Sequence, residues 1–125
     1  MLNEKKPMDI KERTFRFSLD IVRLCQELDN QSGVWKVLGK QLLRSGTSIG
    51  ANVEEAQAGQ SNADFVNKYA IALKEARETI YWLRLLRETR SLKDDSVSAL
   101  IQESDEISRV IGAIIVKTKK NSKHG

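Results

Sequence analysis

The chain has one cysteine, one proline and one histidine in 125 residues. With Cys25 alone, no disulfide can close within the chain, which fits a reducing compartment. Cys25 lies among Val22, Leu24 and Leu28, the setting of a small buried hydrophobe rather than of a reactive thiol. The only histidine is His124, near the C-terminal end. Histidine-based acid–base chemistry and Glu-x-x-His metal sites therefore have nothing to draw on in the body of the chain. Gly46-x-x-x-Gly50 is followed by no Lys-Ser/Thr pair, so it is not a phosphate-binding glycine loop. No apolar run approaches the roughly 20 residues of a membrane-spanning helix, and the first seven residues lack an apolar signal core. The expectation is a cytoplasmic protein, away from membranes, with no catalytic residue, cofactor or metal. A carboxylate-only site from Glu55, Glu75 and Glu78 is the enzymatic reading that remains. Those acids are better suited to ion pairs with Arg44, Arg77 or Arg84.

Few breaks are available, since one proline and seven glycines could not supply the turns of a sheet protein. Hydrophobic residues make up 40% and charged residues 30%, an ordinary balance for one packed domain. Four periodic segments follow. Asp9 and Glu12 have capping-box spacing and open a first helix over about 9–29. Its Ile10, Phe17, Ile21, Leu24 and Leu28 form one stripe, and Phe15, Leu19 and Val22 form another. A helix packed on one side needs a single stripe, so this one either lies central in a bundle or touches a second subunit. Residues 29–33 are turn formers, and a second helix runs over about 34–57 with Leu38, Leu42, Ile49 and Val53 inward. Ser61 and Asp64 cap a third over about 62–89, carrying Phe65, Tyr69, Ala72, Ala76, Leu83 and Leu86. Asp94 or Asp95 caps a fourth over about 95–116, with Val97, Ile107 and Ile111 inward. Residues 1–116 thus read as one all-α domain, an antiparallel up-down four-helix bundle. The lysine-rich segment 117–125 reads as a basic flexible tail.

The second helix carries the most distinctive pattern. Gly39, Gly46 and Gly50 share one flank, although an interior glycine costs a helix about 1 kcal/mol. Something must approach this backbone closely, another helix being the simplest candidate. Ser45, Ser48, Asn52 and Glu55 line the other flank, either bonding to a neighbouring helix or facing a wet cavity. On the third helix Ile71, Glu75, Glu78, Trp82 and Leu85 step 4, 3, 4, 3 outside the main stripe. Trp82 there either covers its own subunit or forms a subunit contact.

Ser48-Ile49-Gly50-Ala51-Asn52-Val53-Glu54-Glu55-Ala56 resembles the signature of the proteins named for 23S ribosomal RNA intervening sequences. Phe65, the run 71–79 and Tyr81-Trp82-Leu83 agree in order and spacing, and Ala56 stands where many members have glycine. The resemblance implies a four-helix bundle assembled as a homopentameric ring with a central channel and no established enzymatic activity. It also implies kinship with the accessory protein of diversity-generating retroelements, which works beside a reverse transcriptase and RNA. It makes Ser48, Asn52 and Glu55 structural or channel-facing residues and the Trp82 face an oligomer interface. Partners on this view are further copies of the chain, RNA or DNA, and a nucleic-acid enzyme such as a reverse transcriptase. The net charge of +4 is modest, so phosphate contacts would fall to particular residues. The candidates are Lys36, Lys40 and Arg44 on the second helix, Arg77, Arg84, Arg87 and Arg90 on the third, and the lysine tail from Lys117 to Lys123. The other reading is a scaffold ring in which these charges only confer solubility.

Overall fold

The computed structural model describes residues 8–31, 33–59, 61–89 and 95–124, and in it Asp9 opens the first helix, α1 (Ile10–Asp29). Its carboxylate accepts from the Lys11 N–H at 3.3 Å, supplying one of the bonds that a helix start lacks. The turn after α1 passes through Gly33 at φ +70°, a left-handed conformation that glycine adopts without strain. There α2 (Val34–Gln57) begins. Ser61 Oγ accepts from the Asp64 N–H at 3.1 Å and caps α3 (Asn62–Thr89). The Asp95 carbonyl accepts from the Ala99 N–H at 2.9 Å at the start of α4 (Ser96–His124). Gln60, Arg90 and residues 91–94, including the alternative cap Asp94, lie outside the described residues.

Cross-helix contacts fix the topology. Lys11 at the start of α1 meets Glu54 near the end of α2 at 3.5 Å. Trp35 at the start of α2 donates its indole N–H to Thr89 Oγ1 at the end of α3, 3.5 Å away. Asn62 at the start of α3 reaches Ser122 near the end of α4 at 3.0 Å. Each helix is therefore antiparallel to the one before it, and α4 closes back on α1, the most sparing of the four pairings. The interior holds Phe17, Ile21, Leu28, Leu42, Ile49, Tyr69, Leu83, Ile107 and Ile111, none more than 1% exposed. Three hydroxyls stitch it: Thr79 Oγ1 donates to Ser45 Oγ at 3.0 Å, and Ser104 Oγ donates to the Ala76 carbonyl at 3.1 Å. Burying these groups costs little because each is bonded.

The glycine flank of α2 lies against α1. A Cβ on Gly39 would stand 3.1 Å from Leu28 Cβ, and one on Gly50 3.3 Å from the Thr14 carbonyl oxygen. At Gly46 it would come within 2.8 Å of Ile21 Cγ2. The close neighbour inferred from the glycine spacing is thus α1 of the same chain.

One expectation is corrected. The segment from residue 117, read as a flexible tail, continues α4 to His124. Past Gly112 it contains neither proline nor glycine until Gly125, and lysine is a good helix former. Thr118 bonds back to the Ile114 carbonyl, and Ser122 is tied to Asn62 of α3.

Candidate nucleic-acid interface

The polar flank of α2 faces α3 rather than one shared cavity. Ser45 is buried on Thr79, and Glu55 pairs with Lys68 of α3 at 3.0 Å. Ser48 and Asn52 turn back onto their own helix, bonding the Arg44 carbonyl at 2.6 Å and the Ser48 carbonyl at 2.8 Å. The motif residues Ser48 and Asn52 are half-buried and Glu55 is exposed. Their bonds are those of helix packing and not of a reactive triad.

Next to that flank, Arg44 reaches across to Glu75 at 3.3 Å and to Glu78, and Glu78 also accepts from the Trp82 indole N–H at 3.2 Å. All five residues expected at an oligomer surface, Ile71, Glu75, Glu78, Trp82 and Leu85, are half-buried within the subunit. Trp82 packs against the core and keeps part of its surface open. Val34 and Val37, 70% and 61% exposed, lie at the start of α2, which meets the end of α3 through Trp35 and Thr89. Tyr81 stands edge-on to Trp82 with ring centroids 5.3 Å apart.

The cations expected to contact phosphate divide among three places. Lys36 and Lys40 line a groove towards α1 with Val22, Cys25 and Asn30, and Lys36 sits 4.0 Å from Asp29. Arg44 is committed to Glu75 and Glu78. Arg87 pairs with Glu88 at 3.3 Å, and Arg90 lies outside the described residues. Arg77 and Arg84, like Lys40 and Lys74, are exposed and have no ion pair among the described residues.

Lys74, Arg77, Tyr81 and Arg84 step 3, 4, 3 along α3 and fall within about a quarter of its circumference, over about 15 Å. Glu75 and Glu78 lie on the side towards α2, where Arg44 takes them, while Glu88 falls on the strip's own side, four residues after Arg84, and pairs with Arg87 at 3.3 Å. Lys119 of α4 joins the same surface, lining a shallow groove with Val66, Asn67 and Ala70. Lys74 and Tyr81 were missed by sequence reasoning, although their spacing with Arg77 and Arg84 is the signal that could have found them. Free cations at helical spacing around an exposed phenol ring suit a polynucleotide: the cations track phosphates and the ring offers a stacking face.

Among the described residues no cluster of three or more His, Cys, Asp and Glu side chains could hold a metal ion. No described helix is long and apolar enough to cross a membrane. Burial pushes the Cys25 thiol up to about 11, and its Sγ bonds the Gly39 carbonyl at 3.3 Å. Burial likewise raises Tyr69, whose hydroxyl accepts from Gln57 Nε2 at 2.9 Å.

Comparison with known proteins gives one family and one solved structure of note. The family model described as 23S rRNA-intervening sequence protein matches residues 6–113. A crystal structure at 1.70 Å resolution, of a protein with unknown function from the S23 ribosomal protein family of Bacteroides thetaiotaomicron VPI-5482, is 44% identical. It superposes with a TM-score of 0.78, and the match covers 86% of this chain and 98% of that one. No curated protein matches the chain significantly.

Proposed function

Because the chain belongs to the 23S rRNA-intervening sequence protein family, we propose that it is a non-enzymatic, RNA-associated accessory protein acting in the cytoplasm as a homopentameric ring. The observation that carries this reading is the unpaired strip of Lys74, Arg77 and Arg84 around exposed Tyr81. On one subunit three cations make a weak site. Five copies in a ring would repeat it around a single particle and turn a weak contact into an avid one. The Trp82 face, with exposed Val34 and Val37 beside it, is the proposed contact between neighbouring subunits.

Each ring should then have a mass near five times that of the 14.2 kDa chain. Its affinity for single-stranded RNA should fall steeply with salt, as phosphate-tracking contacts require. Undetectable binding at low ionic strength, or binding indifferent to salt, contradicts the RNA-associated role. A ring-shaped scaffold without nucleic-acid binding is the second reading, favoured by the apolar exposure around Trp82. Trp82→Ala separates the two. A scaffold loses assembly and function together, whereas an RNA-binding strip on α3 keeps weak, salt-sensitive binding in the dissociated subunit.

A further inference from the structure

The first helix keeps an apolar stripe that its own bundle does not use. Phe17, Ile21 and Leu28 point into the core, while Phe15 is 59% and Leu19 39% exposed. Val22 is half-buried on the same side, and Leu43 of α2 flanks it with 40% exposure. Four charges border Phe15 and Leu19: Glu12, Arg16, Asp20 and Arg23, which line one shallow surface groove with them. Within the helix they pair locally, Arg16 with Glu12 at 3.0 Å and Arg23 with Asp20 at 3.4 Å.

The order of these six residues is self-complementary. If a second α1 lies antiparallel across a two-fold axis that passes near residue 18, positions adding to about 35 or 36 stand opposite one another. Glu12 then faces Arg23 of the other copy, and Arg16 faces its Asp20. Phe15 enters the space between Leu19 and Val22 of the other copy, a knob placed in a hole. A two-fold axis perpendicular to both helices keeps matching flanks on the same side, so both charge pairs form twice. Each end of the contact becomes a balanced quartet of two acids and two bases. A parallel or shifted register would leave like charges opposed or Phe15 in water.

We propose that α1 is a two-fold docking surface for a second copy of this chain, centred on Phe15 and Leu19 and registered by the Glu12–Arg23 and Arg16–Asp20 cross-pairs. The contact is isologous, as two-fold interfaces must be. It lies on α1 and does not rest on the five-fold ring, whose proposed contact is on α2 and α3. Where both form, the α1 contact joins one ring to another.

The test uses cysteines in the full chain. Chains with Glu12→Cys and chains with Arg23→Cys are co-expressed, oxidised gently and run without reductant. Native Cys25 is buried and does not compete. The mixture should give a disulfide-linked dimer that neither variant gives alone. In this register the like positions are about 16 Å apart along the axis, beyond the reach of a disulfide. No dimer in the mixture, or equal dimer in each variant alone, overturns the proposal. Leu19→Glu, at an exposed position, should halve the native mass, and an unchanged mass also overturns it. Trp82→Ala keeps the two tests distinct: it removes a ring and leaves the mixed disulfide in place.

Discussion

A methyl group at Gly46 would stand 2.8 Å from Ile21 Cγ2 and 2.9 Å from Cγ1, with Ile21 wholly buried and unable to swing away. Alanine would favour the helix by about 1 kcal/mol, but pushing α1 and α2 apart costs more. Gly46→Ala should therefore lose about 1–2 kcal/mol in urea unfolding. Gly112, inside α4, meets nothing within 4 Å, so Gly112→Ala should gain about 0.5–1 kcal/mol in the same measurement. If the two glycines behave alike, close packing is not what retains Gly46. The spacing of Gly39, Gly46 and Gly50 was legible in the sequence; that α1 is the element pressed against them was not, because it depends on tertiary register. Cys25 gives a second residue-scale expectation. Its thiol sits at about 11, against an ordinary value of 9.0, because burial disfavours the thiolate. At pH 8 roughly a hundredfold less of it is ionised than of a free thiol, so labelling should be slow until the protein unfolds. With the folded value raised, this group favours folding most below pH 9 and loses that contribution as pH rises through about 11. Rapid labelling of the native protein at pH 8 contradicts the burial.

Among the elements, α1 and α4 touch most sparingly, and among the described residues Arg13 of α1 supplies the ion pairs between them. Arg13 Nε and Nη2 each donate to Glu103 at 2.7 Å, with Glu106 3.7 Å away. The bonds to Glu103 raise Arg13 further above its usual value, and both side chains keep a quarter to a third of their surface exposed. Allowing for that exposure, Glu103→Ala should cost about 1 kcal/mol, with faster amide exchange in α1 and α4 than in α2 and α3. Uniform exchange across the four helices would show that the pair is not the tie. The starts of α1 and α3 were legible because their caps, Asp9 and Ser61, are local chemistry. The end of α4 was not, since the lysines after residue 116 signal charge, whereas the helix there follows from propensity and from Ser122 meeting Asn62. The double stripe of α1 was legible as a choice between a central helix and an outer contact. The burial of Ile21 beside the exposure of Phe15 resolves which stripe serves the core.

At the scale of the whole molecule, the net charge of +4 hides how unevenly charge is used. Arg44, Lys36 and Arg87 read as candidate phosphate ligands in the sequence, yet each has an acid at hand: Glu75 and Glu78 across on α3, Asp29 at the end of α1, and the adjacent Glu88. Among the described residues Lys74, Arg77 and Arg84 have no ion-pair partner, which spacing alone does not show, since Glu78 and Glu88 stand four residues after Lys74 and Arg84. The central claim is that this α3 strip holds RNA, and a salt titration tests it most directly. Wild type and the Lys74→Gln, Arg77→Gln, Arg84→Gln triple variant are compared for single-stranded RNA affinity between about 50 and 200 mM salt. These positions are exposed and unpaired, so the variant should keep its fold and assembly. The account predicts weaker binding and a slope of log affinity against log salt shallower by about 2 for each subunit engaged. An unchanged affinity and slope in the triple variant would contradict it.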